Sequence, residues 1–279
     1  MLKLYDLTIE YKHEPLGLDE VQPRFSWKLE SDKQDTVQAA YRLALNCGGK
    51  TVWDNHGETA EAASRFQTGL LSGSAFEGKA HWITSAFDKD SPVSPVLYKE
   101  FTVNGTVKKA RLYATALGMY EAELNGEPVD DTYFHPGWTN YRKRLQYQTY
   151  AVTLHEGVNR LALTLANGWY KGTLGFMPEP NHYGDTTAAL AALCITYADG
   201  REEWIGTDES WLCTTGAVQA AEIYDGETQD FTAEPAAPQP ARLFNYGFDT
   251  IVGQENEPVR CLQRLPVVKE FTAPNGEHV

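Results

Sequence analysis

The chain has 279 residues, the length of about two ordinary domains. Asp and Glu (38) outnumber Lys and Arg (24), and the formal charge of −14 argues against nucleic acid or an anionic membrane as partner, since both are held by cationic surfaces. No apolar run approaches the ~20 residues of a membrane-spanning helix, the first residues lack a signal-peptide core, and Cys47, Cys194, Cys213 and Cys261 show no ligand spacing, so a reduced, cytoplasmic protein is expected.

Taken in chain order, the elements read as strands. Tyr41, Leu43 and Leu45 alternate with Arg42, Ala44 and Asn46, the pattern of a half-buried strand, and Cys47-Gly48-Gly49 closes it as a turn. Residues 59–71 include Ala60, Ala62 and Ala63 but no sustained apolar stripe, so loop plus a short strand is expected there. With Trp53, Trp82 and the strand at Ile83, about seven short strands fill the first hundred residues, the size of an immunoglobulin or fibronectin type III sandwich. Further on, Leu161, Leu163 and Leu165 alternate, as do Leu193, Ile195 and Tyr197. Asn104-Gly105, Asn125-Gly126, Asn167-Gly168, Asp199-Gly200 and Asp225-Gly226 are hairpin signals, because both residues tolerate positive φ. From Glu234 the run Glu-Pro-Ala-Ala-Pro-Gln-Pro is linker-like, and Val267 to Phe271 returns to a β pattern before a turn near the end. The reading is an all-β chain. An immunoglobulin-like or fibronectin type III-like sandwich fits 1–103 and a second β-sandwich or jelly roll 104–240, with a linker and the start of a further β-domain, cut short, over 241–279.

The chain carries no phosphate loop, dinucleotide fingerprint, HExxH, GxSxG elbow or EF-hand loop. Seven dispersed histidines offer no metal spacing, and read most simply as surface or turn residues. Glycosidase chemistry needs two carboxylates about 5–10 Å apart around a sugar, but among 38 acids some pair meets by chance and none is singled out. What stands out is aromatic and polar side chains around the loops of the second block. Trp138, Asn140 and Tyr141 lie in one such loop and Asn167, Trp169 and Tyr170 in the next; Asn181 and Tyr183, then Tyr224, Asp225 and Glu227, follow. Aromatic faces that rest on a sugar ring, beside amides and carboxylates that bond hydroxyls, are what carbohydrate recognition requires. Trp and Tyr equally form the ordinary core of a β-sandwich, and Asn in such loops serves turns. Trp82, Trp204 and Trp211 read as strand-face core.

Several runs of the sequence carry a family resemblance. They begin with Pro15-Leu16-Gly17-Leu18-Asp19 and Pro23-Arg24-Phe25-Ser26-Trp27, and continue with Ala110 to Tyr113, Leu117 to Tyr120 and Leu124-Asn125-Gly126. Pro136 to Tyr141, Gln146 to Tyr150, Asn167 to Tyr170, Thr207 to Trp211 and Ile223 to Glu227 follow in order. Across the whole chain this order resembles the N-terminal part of bacterial α-L-rhamnosidases. The resemblance implies the fibronectin type III-like form for 1–103 and the jelly-roll form for 104–240. It also implies an N-terminal portion of a glycoside hydrolase that cleaves terminal α-L-rhamnosides with inversion, using acids on an (α/α)6 barrel that lies outside this sequence. No catalytic residue is therefore carried over, and this chain alone is expected to be inactive. The expected partners are L-rhamnose or a rhamnosylated glycan, and the remaining domains of the same polypeptide. Trp138 and Trp169 would stack on the sugar, with Asn167, Asp225 and Glu227 bonding its hydroxyls. Some jelly rolls of this family hold rhamnose through calcium, whose ligands would here fall to Asn140, Asn181 and the Thr186 carbonyl. That set lacks a carboxylate, which hard Ca²⁺ favours, so no cofactor is expected. The alternative is a bracing role without ligand, the aromatic loops serving as interdomain contacts.

Overall fold

The computed structural model describes residues 2–34, 36, 38, 40–56, 62–175 and 177–277. The first part is built from three strand pairs. Leu2–Ile9 runs antiparallel to Phe25–Ser31, Ala44–Cys47 to Lys50–Asp54, and Leu16–Leu18 lies parallel to Gln67–Thr68. Gly48 and Gly49 both take positive φ (56° and 78°), which is why two glycines close the second pair. The short strand expected within 59–71 is Gln67–Thr68; residues 59–61 lie outside the described residues.

Two sheets make the second part. One has the order Glu127–Pro128, Met119–Leu124, Gly157–Ala166, Pro95–Val103, Leu212–Thr215, Gln239–Pro240. The other runs Arg242–Leu243, Ile83–Thr84, Ala188–Tyr197, Val107–Leu117, Leu145–Val152, Ile251–Gly253, and Glu202–Gly206 also pairs with Ala188–Tyr197. The chain is thus all-β, an immunoglobulin-like domain followed by a jelly-roll sandwich. The boundary drawn at 103 needs correction. Ile83–Thr84 and Pro95–Val103 belong to the second sandwich, and Asn104-Gly105 carries the chain from one of its sheets to the other. At the far end the sandwich continues past 240, because Ile251–Gly253 pairs with Leu145–Val152 and Val259–Arg260 with Thr132–Tyr133.

Between the sheets lie Leu97, Phe101, Leu112, Leu163, Leu193 and Trp211. The opposite face of the seven-stranded sheet is buried as well, with Tyr113, Tyr147, Leu190, Ala192 and Ile251 covered by Phe76, Trp82 and Tyr141. Ala188–Tyr197 is accordingly closed off along nearly its whole length, not alternately. The immunoglobulin-like part docks on this same sheet through Asp19. Its carboxylate accepts from the Tyr147 hydroxyl (2.6 Å), the Leu71 N–H (2.8 Å) and the Gly253 N–H (2.7 Å). Arg111 Nε adds a bond to Gln67 Oε1 at 2.9 Å.

Candidate functional site

The loop over 134–144 rises from a buried polar network. His135 faces the Tyr150 hydroxyl with Nδ1 (3.1 Å) and the Thr132 hydroxyl with Nε2 (2.6 Å), and Tyr150 reaches the Tyr120 hydroxyl at 2.9 Å. Gln146 and Gln148 donate their amides to the Pro136 carbonyl at 3.4 and 3.2 Å, and the Tyr141 hydroxyl donates to the Gly137 carbonyl at 2.8 Å. Burial pushes the His135 imidazole down and the Tyr120 and Tyr150 phenols up, so all three stay neutral. The loop is therefore supported from below, and what it presents outward is Phe134 and Trp138, the latter 56% exposed.

Trp169 comes from the neighbouring connection. Asn167-Gly168, expected as a hairpin turn, instead opens a single helical turn, Gly168–Lys171. Gly168 sits at φ +54°, and a Cβ there would lie 2.6 Å from Met119 Cγ, so a glycine is required by both conformation and space. The turn sets the Trp169 indole 6.2 Å from that of Trp138, at an interplanar angle of 13°, while Phe134 meets Trp169 edge-on at 6.2 Å. Trp138, Trp169 and Phe134 form one aromatic ledge at the loop end of the sandwich.

Behind it stand three tyrosines. Tyr141 (1% exposed) and Tyr170 (6% exposed) are interior, packed edge to face at 5.7 Å, and Tyr183 closes on Tyr141 at 4.9 Å. Burial moves the Tyr170 phenol up to about 12. Tyr141 and Tyr170, expected to touch sugar, instead hold the loops in place; only Tyr183 remains partly open. Asn167, expected to bond hydroxyls, donates its amide to Glu222. Through that bond it ties the helical turn to the hairpin of Val218–Glu222 and Gly226–Gln229, at whose tip Tyr224 and Asp225 are exposed. Glu227, also exposed, accepts from the Gln229 amide.

Of the residues expected for calcium, Asn140 and Asn181 take part in the hydrogen bonding of their own loops. The Asn140 side chain accepts the Arg142 N–H at 3.2 Å, in an Asx turn, and the Asn181 N–H donates to the Lys171 carbonyl at 2.6 Å with φ at +66°. The Thr186 hydroxyl donates to Asp185, whose carboxylate pairs with Lys89 at 3.0 Å. Between the two loops lies a guanidinium: Arg142 Nη2 donates to the His182 carbonyl at 2.9 Å, and its Cζ stands 5.6 Å over the Tyr183 ring. A fixed positive charge beside a donor set without carboxylates opposes calcium. Among the described residues, no three His, Cys, Asp or Glu side chains gather to hold a metal.

Sequence reasoning missed Phe134, His135, Arg142 and Glu222. The first three adjoin the Pro136 to Tyr141 run and could have been weighed with it. Glu222 carries no local signal, because its partner is 55 residues away.

Fold and site together define a two-domain β-module whose conspicuous feature is an aromatic ledge carried by loops. Residues 105–261, more than half of the chain, match the family described as α-L-rhamnosidase N-terminal domain, and residues 4–68 match the Rha78A-like, N-terminal immunoglobulin domain. The chain belongs to the α-L-rhamnosidase N-terminal domain family. It is 41% identical over 207 residues to an α-L-rhamnosidase of Streptomyces avermitilis, covering 68% of this chain and 20% of that protein. It is 30% identical over 272 residues to one of Formosa agariphila, covering 77% of this chain and 29% of that one. The native α-L-rhamnosidase of Aspergillus terreus superposes with a TM-score of 0.90 at 27% identity, over 100% of this chain and 38% of that one. The chain thus spans about a fifth to a third of the length of the curated relatives it matches.

Proposed function

We propose that this chain is a non-catalytic N-terminal region of an α-L-rhamnosidase of a reducing, cytoplasmic compartment, and that its sandwich receives a rhamnosyl group on the ledge. The observation that carries this reading is the parallel pair Trp138–Trp169, with Trp138 more than half exposed beside Phe134. A 6-deoxy sugar has an apolar methyl edge and ring face, which an indole covers while the hydroxyls stay in water. Arg142 takes the bridging place between the loops, so binding is independent of calcium. Cleavage of the terminal α-L-rhamnoside, with inversion by an acid and a carboxylate-activated water, belongs to the part of the enzyme that this chain does not span. The free Cys47, Cys194, Cys213 and Cys261 suit such a compartment.

The test is calorimetric titration of the chain with L-rhamnose, with and without calcium, against glucose. Specific millimolar binding is expected in both buffers, at least tenfold weaker in Trp138→Ala, whose unfolding midpoint should match the parent because the side chain is exposed. Unchanged rhamnose affinity in Trp138→Ala, or no heat at all, overturns the reading. The ledge is then a contact surface for the remaining domains.

A further inference from the structure

A cleft of about 500 Å³ opens beside the ledge, between the 84–95 connection and the segments carrying Asn167, Lys171 and Thr187. In a chain of net charge −14, its lining includes two cations, Lys171 and Arg242, that have no ion-pair partner among the described residues. Lys171 is only 8% exposed, and its ammonium donates to the Lys89 carbonyl. An ammonium has three donors, so two remain open to a ligand of the cleft. The acids around it are engaged elsewhere. Asp90 and Asp185 pair with Lys89 at 3.1 and 3.0 Å, and Glu222 accepts from Asn167. Asp88, the acid on the cleft wall, takes the Asp90 N–H at 3.0 Å. Arg242 stands on the edge strand opposite Thr84, and its guanidinium has no partner among the described residues.

A largely buried ammonium with two donors left for the cleft and a planar guanidinium on the same cleft, neither in an ion pair among the described residues, are complementary to an oxyanion. We propose that this cleft binds an oxyanion, held between Lys171 and Arg242, as borne by a sugar acid or supplied as a free anion. The inference rests on residues other than those of the ledge, and its test separates the two. The probes are glucuronate and inorganic sulfate, with glucose as the neutral control, titrated calorimetrically at low salt. Glucuronate or sulfate is expected to bind at least tenfold more tightly than glucose, and to weaken as salt is added. Arg242→Gln and Lys171→Met should each cost fivefold or more, whereas Trp138→Ala should leave the affinity unchanged. Equal affinity for glucuronate and sulfate assigns the cleft to the oxyanion alone, and preference for glucuronate assigns it to a sugar acid; either supports the proposal. Should Lys171→Met fail to fold, the exposed Arg242→Gln carries the test. Affinity no better than for glucose, or unchanged in Arg242→Gln, overturns it.

Discussion

At Asp19 one carboxylate answers a hydroxyl and two backbone N–H groups drawn from three separate segments, at Tyr147, Leu71 and Gly253. Hydrogen bonds to a charged group contribute about 1.5–3 kcal/mol, and removing the acceptor leaves its donors unmatched. Asp19→Ala should therefore lower the unfolding free energy by about 3 kcal/mol in urea denaturation, with Asp19→Asn recovering part of it. His135 gives a second expectation, this time in pH. Burial holds its folded-state pKa below the ordinary 6.5, so as pH falls through 6.5 the unfolded chain takes up a proton that the folded one refuses. Stability then declines with falling pH, by at most about 1.4 kcal/mol per unit for one group, until the folded pKa is reached. His135→Gln should flatten that part of the stability profile between pH 7.5 and 5, measured by urea titration at each pH. An unchanged slope would show that other groups carry it.

Among the elements, the edge strand Glu202–Gly206 is fixed by a close backbone approach. A Cβ on Gly206 would lie 1.8 Å from the Lys79 carbonyl, and nearby His81 donates its N–H to the Thr207 carbonyl at 2.7 Å. Gly206→Ala is expected to cost about 3 kcal/mol or more through the forced backbone shift, whereas Gly126→Ala, in an open turn, should cost less in the same calorimetric comparison. Strand existence was legible: the alternation at 161–165 and 193–197 falls within Gly157–Ala166 and Ala188–Tyr197. Strand membership was not. A period of two fixes which side chains share a face but not which sheet the strand joins, so Pro95–Val103 was read into the wrong sandwich. Aromatic loops were legible as a group, since Trp and Tyr beside Gly, Pro and Asn have no strand to explain them. Their depth was not. Tyr141 and Trp138 sit three residues apart with opposite fates, because the loop folds over Gln146 and Gln148, which no local pattern announces. The Arg142–His182 clasp spans 40 residues and left no trace in either segment alone.

For the molecule as a whole, the chain from 261 to 271 stands apart from both sandwiches. Leu262 is 95% and Val268 93% exposed, and Leu265 and Val267 are open as well. Lys269 and Arg264 lie within this run. Limited trypsin treatment should cut there first, and the trimmed protein should unfold at the same midpoint as the intact chain, because the core loses nothing. A lowered midpoint would show that the segment supports the sandwich. Its apolar residues are spent on nothing within the described residues.

The second buried face of the seven-stranded sheet has a bearing on how such a module can change over time. The loops that carry the ledge are also the roof of that face: Tyr141 and Tyr170 point inward from the very segments that hold Trp138 outward and Trp169 half-buried beside it. A lineage can exchange the outward side chains freely, but insertions or deletions in these loops would unroof the sheet. The outward surface of these loops should therefore drift by substitution at a few positions while loop length stays nearly constant, the opposite of scaffolds whose loops hang clear of the core.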